Sequence, residues 1–475
     1  MKLSYYIWNF IEKFGTNLIS FAGTIILSYL LSPAEFGLVG MVAVFTSVIW
    51  VLIDCGLADS ILMYKDPSDR DINTVFVFNL SVGIIICLIY VAIAPFIANF
   101  FGYPEIRVIM VCMGISAIFS GLTFAQVTKA RSKLQFRTIT FINLASISLA
   151  LFIAISMAYM GLGYLALVEL QVGFSILYFI GVFFFTDWKI RMEFDIERFR
   201  KFWNFGINLF ISYVVIQFSK NIYSFVLGKY YSATHAGFMG QAQKLQETPT
   251  NSLEISISNT SYILIAKKNS AKEKNDAFMK AFNGMTFTNS LFIFFILALS
   301  APIIMSIFPE RWHPVIPYIQ AISLIGLISP IENFTAIIFK VHDRTATIRN
   351  IQIVEKSLIL LFVFLMIKWG LKAMIMSNFV IACCALFVYI FKAHQLTGIG
   401  VWDFYSVYLK NLLIGAAVAV PTYFLSNVLI ANCYIAFLTG VVLYVALALL
   451  LCRFLKKDAY YFLTGKVRAL LKKEK

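Results

Sequence analysis

Charged residues are scarce in this 475-residue sequence, in which Asp, Glu, Lys and Arg make up only 13% of the chain. Soluble domains contain about 25% charged residues. Hydrophobic residues take their place and account for 60% of the sequence. Because so much apolar surface needs lipid rather than water around it, the composition excludes an ordinary soluble enzyme.

The sequence also lacks the motifs of common catalytic and metal sites. Its four histidines are dispersed, so neither a zinc ligand set nor a catalytic triad emerges. It contains no G-x-x-x-x-G-K phosphate loop, and none of its seven cysteines forms a C-x-x-C pair. We therefore predict that the protein is not an enzyme and binds no metal or cofactor. Coupling of its activity to protons or sodium is left open by the sequence.

Long apolar runs make up most of the sequence. A membrane-spanning helix needs about 20 mostly apolar residues, and we find fourteen such runs. Each is predicted to be a helix, because a span in lipid must satisfy its own backbone polar groups and the alternation of a barrel strand is absent. The predicted spans are residues 14–31, 37–62, 74–101, 106–128, 138–160, 162–186, 202–230, 237–266, 277–308, 315–339, 350–369, 371–391, 404–430 and 432–455.

The basic residues indicate how these spans are oriented. When the gaps are assigned alternately to the two sides of the membrane, 30 of the 39 Lys and Arg residues fall on one side. By the positive-inside rule this side is cytoplasmic and holds both termini. This distribution in short gaps also excludes nucleic acid as a partner that would explain the net charge of +15.

The eighth span, residues 237–266, is polar enough that hydropathy alone predicts a loop. If it did not cross the membrane, the lysine cluster from Lys267 to Lys280 would face outward and the charge alternation would be inverted in the rest of the chain. We therefore predict that residues 237–266 cross the membrane and face a wet cavity.

An internal repeat relates the two halves of the chain. Residues 27–41 align with residues 227–241 without a gap. Looser matches follow in the same order, and the matched pairs are Leu27 and Leu227, Ser32 and Ser232, Gly37 and Gly237, Gly40 and Gly240, Trp8 and Trp203, Pro95 and Pro302, and Gly161 and Gly370. This order predicts a duplicated unit of six spans. Because six is even, both copies have the same orientation, as in transporters built from parallel repeats.

The repeat predicts the domain organisation. We expect an N-terminal lobe at residues 1–186, a C-terminal lobe at residues 202–393, two further spans at residues 404–455 and a basic cytoplasmic tail at residues 456–475. The linker at residues 187–201 mixes apolar residues with five basic ones. Two interpretations of it stand side by side: a helix lying on the anionic cytoplasmic leaflet, and a solvated loop.

Several stretches carry a resemblance to a known family. The strongest is Asn221 to Pro249, NIYSFVLGKYYSATHAGFMGQAQKLQETP, and others are Phe36-Gly37, Asp54 with Gly56-Leu57, and residues 161–168. With these stretches the chain resembles the Wzx-type polysaccharide flippases, whose superfamily also contains the multidrug and toxin extrusion (MATE) transporters. The resemblance covers most of the chain and implies an all-α, MATE-like integral membrane fold.

The resemblance also implies a function. It is the movement of an undecaprenyl-diphosphate-linked oligosaccharide from the cytoplasmic to the periplasmic leaflet of the bacterial inner membrane, for surface polysaccharide or lipopolysaccharide biosynthesis. The implied partners are this lipid-linked oligosaccharide, membrane lipids, and polysaccharide polymerase or assembly proteins. Two alternatives remain: a multidrug or cation antiporter of the same superfamily, and a glycan ligase or polymerase. The enzyme fits less well, because the outward gaps are short.

Translocation of a diphosphate head group needs positive charge and hydrogen-bond donors inside the membrane, where charged residues are costly and therefore point to function. Helical spacing places polar residues on one face of the seventh span and on one face of the eighth. We predict that Lys220 and Lys244 bind the diphosphate; structural ion pairs within the bundle are their alternative role. The amides predicted to line the same cavity are Gln217, Asn221, Gln241 and Asn251. Pro249 is predicted to unwind the eighth span.

Acidic residues in or near the spans are the candidates for coupling or gating. They are Glu247, Glu254, Asp54, Asp59 and Glu169. Two further lysines, Lys356 and Lys410, lie closer to cytoplasmic ends, where long basic side chains extend to the membrane surface.

Overall fold

The computed structural model of the protein describes residues 3–55, 57, 61, 68–186, 191–430 and 432–455. These residues form fourteen α-helices of 21 to 37 residues and no β-strand, which confirms the predicted all-α class. The helices are α1 (Leu3–Leu30), α2 (Pro33–Asp54), α3 (Asp69–Phe101), α4 (Glu105–Ser132), α5 (Phe136–Tyr159), α6 (Tyr164–Phe185), α7 (Ile196–Tyr230), α8 (Ala233–Ala266), α9 (Ala271–Ile307), α10 (Ile316–Val341), α11 (Thr345–Leu365), α12 (Leu371–Thr397), α13 (Val401–Phe424) and α14 (Cys433–Leu455).

Ten of these helices are long and apolar enough to cross a membrane. The other four, α1, α7, α8 and α11, do not combine the same hydropathy with as few charged residues. Hydropathy averages over all faces of a helix, so a helix with one polar face scores low even when its other faces are apolar. Membrane crossing by these four helices stays a prediction.

The turn before α2 and the turn before α8 share one geometry, as the repeat predicts. Ser32 caps α2, with its hydroxyl accepting a hydrogen bond from the Glu35 backbone N–H at 3.4 Å. Ser232 lies before α8, and its hydroxyl accepts from the His235 backbone N–H at 3.3 Å. A serine at this position satisfies one of the unpaired N–H groups of a helix start, so the repeated serine has the same physical role in both halves.

The other repeated positions also recur as structure. Gly161 and Gly370 precede α6 and α12 and have positive φ angles of 78° and 89°, which glycine adopts without steric cost. Pro95 and Pro302 lie inside α3 and α9, the third helix of each repeat. The loose sequence matches therefore mark equivalent turns and bends.

The contacts divide the chain into two compact units. The first contains Met1–Gly240 and Lys356–Leu371, and the second contains Gln241–Glu355 and Lys372–Lys475. In the first unit α3 packs along α4, α5 along α6, and α2 along α7; in the second α9 packs against α10, α13 and α14. The predicted lobes follow the sequence repeat and not contacts, so their boundaries stay a prediction.

The second half of the linker begins a long helix. Asp195 caps α7, its carboxylate accepting hydrogen bonds from the backbone N–H groups of Glu197 and Arg198. The Arg198 guanidinium reaches Asp71 Oδ1 at 2.6 Å and Ser68 Oγ at 2.8 Å, at the start of α3. The Asp71 carboxylate raises the pKa of this guanidinium. The start of α7 is thus fixed on α3; residues 187–190 of the linker and the tail at 456–475 lie outside the described residues.

An aromatic cluster holds the core of the second unit. Phe278 and Phe282 of α9 pack against Phe334 of α10 and Phe404 of α13, with ring centroids 5.4 Å apart for Phe282 and Phe404. All four side chains are buried. Aromatic pairs at this separation add to the free energy of burial, so the cluster fixes α9, α10 and α13 against one another.

Candidate functional site

The predicted polar face of α7 is present as an unbroken helical stripe. Gln217, Lys220, Asn221 and Ser224 are spaced at three or four residues within the continuous helix Ile196–Tyr230. Lys220 is exposed, Gln217 and Asn221 are half-buried, and Ser224 is buried. The Asn221 side chain donates a hydrogen bond to the Gln217 carbonyl at 3.2 Å. The Lys220 amine is therefore accessible on α7. The other predicted site residues of this helix, Gln217 and Asn221, are amides.

The second lysine lies on α8, which continues as a helix through Pro249. The prediction that Pro249 unwinds this span is wrong. A proline removes one backbone hydrogen bond. The remaining backbone hydrogen bonds of this 34-residue segment are sufficient to keep it helical. Lys244 and Asn251, two turns apart on one face, are both exposed, and Glu247 is half-buried between them.

The opposite face of α8 packs into the protein. Gln246 is buried, and its amide donates to Thr250 Oγ1 at 3.3 Å while the Thr250 hydroxyl donates to the Gln246 carbonyl at 2.7 Å. Gln246 also lies against Gly326 of α10. The structure thus fixes the rotation of α8: Lys244 and Asn251 point away from the packed face.

Two predicted residues of α8 have surroundings that the sequence did not indicate. Gln241 is 3% exposed, so it lies in the packed interior and not on the accessible face. Glu254 accepts a hydrogen bond from Asn333 of α10 at 3.2 Å. Their roles in binding and coupling stay predictions.

The remaining gating candidates are spread over the first unit. Glu169 of α6 is half-buried, with its carboxylate folded over Gly173 of the same helix. Asp54 is the last residue of α2. Asp59 lies outside the described residues.

Two buried acids within the predicted spans were not among the predicted site residues. Glu332 of α10 is 3% exposed and Glu355 of α11 is 5% exposed. An acidic residue buried within a membrane-spanning segment is costly and therefore points to function. The predicted lysines and amides lie on the polar faces of α7 and α8, and these two glutamates lie on other helices.

A cavity of about 460 Å³ opens between α9, α10 and α13 in the second unit. Its lining is almost entirely apolar and includes Phe294, Leu324 and Val420, with Gln320 as the polar member. The Gln320 amide donates to Ser300 Oγ at 3.1 Å. None of the predicted site residues lines this cavity. Its chemistry suits an apolar chain and not a diphosphate.

The helices that carry the candidate site lie in a region that matches a known protein family. The model of the polysaccharide biosynthesis protein family matches residues 26–317, which is more than half of the chain. The chain belongs to this family. The match contains α2 to α9, with both lysines of the candidate site. The resemblance to Wzx-type flippases is thereby confirmed.

Named relatives in polysaccharide pathways are distant. The chain is 22% identical over 291 residues to the teichuronic acid biosynthesis protein TuaB of Bacillus subtilis, a match that covers 60% of this chain and 59% of TuaB. It is 21% identical over 314 residues to the lipopolysaccharide biosynthesis protein WzxC of Escherichia coli, covering 65% of this chain and 63% of WzxC. The matches therefore span less than two thirds of each of these relatives.

Solved structures show the fold of this family member. A lipid II flippase MurJ in an inward closed conformation matches 96% of this chain and 100% of its own, with a TM-score of 0.73 at 15% identity. An inward-facing MATE family multidrug resistance transporter matches 84% of this chain and 97% of its own, with a TM-score of 0.59 at 13% identity. The predicted MATE-like architecture is confirmed, and the protein is a multi-pass membrane protein.

Proposed function

We propose that this protein is a flippase that moves an undecaprenyl-diphosphate-linked oligosaccharide from the cytoplasmic to the periplasmic leaflet of the bacterial inner membrane by alternating access. Membership of the polysaccharide biosynthesis family is the observation that carries the proposal. The fold, shared along 96% of the chain with a structure titled as a lipid II flippase, supports it. The product would serve surface polysaccharide or lipopolysaccharide synthesis.

The accessible lysines supply the chemistry that the head group requires. Lys220 and Lys244 attract the negative diphosphate, and Gln217, Asn221 and Asn251 provide donors and acceptors for phosphate and sugar oxygens. Hydrogen bonds between charged groups contribute about 1.5–3 kcal/mol each, and a diphosphate offers two lysines separate phosphates. A cationic drug would meet repulsion from the same lysines, which favours an anionic substrate over the antiporter alternative.

The short connections on the predicted outer side favour a carrier over a glycan ligase or polymerase. Among those that the structure describes in full, residues 308–315 form the longest. A glycan ligase or polymerase would need a larger segment there. This architecture supports transport of the substrate and not its chemical conversion. Glu247, Glu254, Glu169, Asp54 and Asp59 remain the coupling or gating candidates, and polymerase or assembly proteins the expected partners.

Leaflet exchange of labelled lipid-linked oligosaccharide in proteoliposomes tests the proposal. We expect exchange by the wild-type protein, a loss of about tenfold or more in Lys220→Ala and Lys244→Ala, and retention in the two Lys→Arg variants, since about 1.4 kcal/mol corresponds to a factor of ten. The matched control is Lys410→Ala on α13, an exposed lysine outside the proposed site.

The possible outcomes distinguish failure of the lysine site from failure of the flippase proposal. Wild-type rates in both alanine variants would overturn the lysine site and leave the flippase proposal standing. Absence of exchange by the wild-type protein, with lipid-linked oligosaccharides from several pathways, would overturn the function itself.

A further inference from the structure

The first turns of α2 and α8, the equivalent helices of the two repeats, touch backbone to backbone within the first unit. A methyl group placed on Gly37 would lie 1.7 Å from the Ala233 carbonyl oxygen, and one placed on Gly237 would lie 1.9 Å from the Pro33 carbonyl oxygen. Pro33 and Ala233 are themselves equivalent positions of the repeat. The contact is therefore reciprocal, and only a residue without a side chain fits at its centre. We call Pro33, Gly37, Ala233 and Gly237 the outer seam, because they lie on the predicted outer side.

The contact is confined to one turn. At Gly40 and Gly240, one turn further along the same helices, the nearest atoms to an added methyl group lie at 3.7 Å, an ordinary van der Waals distance. At this turn the Ala236 carbonyl oxygen of α8 lies 3.7 Å from the methyl position of Gly40, so the two helices are less tightly packed than at the seam, and Ser224 of α7 lies beside both glycines.

Further contacts hold the α7–α8 turn beside the seam. The Tyr103 hydroxyl accepts a hydrogen bond from the Ala233 backbone N–H at 3.2 Å. The Lys229 ammonium lies 4.4 Å from the centre of the Phe100 ring at the end of α3. The turn between the first two helices of the second repeat is thus fixed on the first repeat beside the seam.

We propose that the outer seam is the closure of the exit route, and that Gly37 and Gly237 are the positioning residues that allow it to close. This inference rests on the proposed function, since an alternating-access carrier must seal one side while the other is open. Export of the head group then requires α2 to separate from α7 and α8 at the seam. Because the contact is between backbones, its strength depends on close approach and not on charge.

A reversible disulfide cross-link tests whether α2 must separate from α7 during export. The Cβ position of Gly40 lies 3.8 Å from Ser224 Cβ, within the range that a disulfide requires. In the double variant Gly40→Cys with Ser224→Cys, we expect an oxidant to reduce leaflet exchange at least tenfold and a reductant to restore it. The two single variants serve as controls. Full exchange by protein shown to be cross-linked would overturn the proposal.

Labelling tests closure without any transport substrate, so it stays informative if the proposed function fails. In Ser224→Cys cells, we expect a membrane-impermeant maleimide added outside to modify residue 224 several-fold faster when Gly37→Ala or Gly237→Ala is also present. Non-bonded atoms rest at about 3.5 Å, so either methyl group must push the helices apart by about 1.5 Å or more. Modification is quantified by mass spectrometry of the peptide containing residue 224.

The matched control is Gly40→Ala on the same helix, which should leave the labelling rate unchanged. Equal labelling of Gly37→Ala, Gly237→Ala and Gly40→Ala would overturn the seam as a closure. If one seam variant fails to insert, the other seam variant and the cross-link remain decisive, since they alter different positions.

Discussion

Glycine sets how closely individual helices approach in the first unit, and α3 and α4 show this at two residues. A methyl group on Gly121 would lie 2.5 Å from the Asn79 carbonyl oxygen, and one on Gly83 would lie 2.7 Å from the Ala117 carbonyl oxygen. Both obstacles are backbone atoms, which cannot rotate away as a side chain can. Close packing of these helices therefore depends on the missing side chains.

The contrast with an uncrowded glycine gives a stability prediction. Gly121→Ala should lower the free energy of unfolding by about 1–3 kcal/mol through overpacking. Gly284→Ala should raise it by up to about 1 kcal/mol, since alanine is the better helix former and an added methyl group meets nothing within 4 Å. Thermal unfolding of the detergent-solubilised variants measures both changes. Destabilisation by Gly284→Ala as large as by Gly121→Ala would contradict the explanation.

At the residue scale, the sequence predicted only part of the exposure and burial of the polar side chains. Accessible Lys220, Lys244 and Asn251 follow from helical spacing, which is a local property. The burial of Gln241 and Glu332 depends on neighbouring helices that are distant in sequence. Spacing cannot specify which face a neighbour will cover, so these environments could not be predicted.

At the scale of helices, two prolines leave backbone carbonyls without a donor in their own helix, and asparagines from elsewhere in the second unit satisfy them. Pro330 in α10 has no N–H for the Gly326 carbonyl, and the Asn289 side chain of α9 donates to that oxygen at 3.1 Å. Pro302 in α9 leaves the Ala298 carbonyl in the same position, and Asn427 donates to it at 2.9 Å. Each of these two prolines is thus paired with an asparagine donor from another helical segment.

A double-mutant cycle tests this pairing. Asn289→Leu alone should destabilise the protein by about 1–3 kcal/mol, because the Gly326 carbonyl is left buried without a donor. In a Pro330→Ala background the alanine N–H can bond that carbonyl, so the same asparagine substitution should cost clearly less. Unfolding midpoints of the four proteins in one detergent give the coupling. Additive costs would show that Asn289 acts independently of the proline.

Helix positions were largely predictable, and helix ends were not. Each predicted span overlaps one observed helix, but α1 begins at Leu3 where the apolar run begins at residue 14, and α9 begins at Ala271 where the run begins at residue 277. Hydropathy detects the apolar middle of a helix. The polar turns that extend beyond the membrane depend on capping residues such as Ser270, which accepts from the Glu273 N–H at 3.1 Å.

At the scale of the whole molecule, duplication explains why one sequence pattern specifies so much of the architecture. Serine caps, internal prolines and positive-φ glycines recur at equivalent turns of both repeats. Local signals of this kind survive in sequence because each acts within a few residues. These local signals do not predict that α7 and the start of α8 belong to the first unit. That packing depends on the seam contacts of Gly37 and Gly237, which are distant in sequence.

Orientation is the whole-molecule property that charge alone predicts, and α8 is its critical test. Because α8 is too polar to be identified by hydropathy, the distribution of basic residues is the argument that it crosses the membrane. Reporter fusions after Ser232 and after Ser270 flank this helix. We expect green fluorescent protein to be fluorescent only after Ser270, and alkaline phosphatase to be active only after Ser232.

A fusion after Asp195, at the start of α7, provides the cytoplasmic reference. If the reporters after Ser232 and Ser270 gave the same result, α8 would not cross, and the lysines that follow it would lie outside. The outer seam itself would stay on the outer side, since Gly37 and Gly237 lie near the starts of α2 and α8, directly after α1 and α7. Because Gly37 and Gly237 are in direct contact and must lie at one depth, the backbone contact requires the starts of α2 and α8 to lie on one side of the membrane, as the charge distribution predicts. The crossing of α8 rests on the charge distribution and is decided by the reporters.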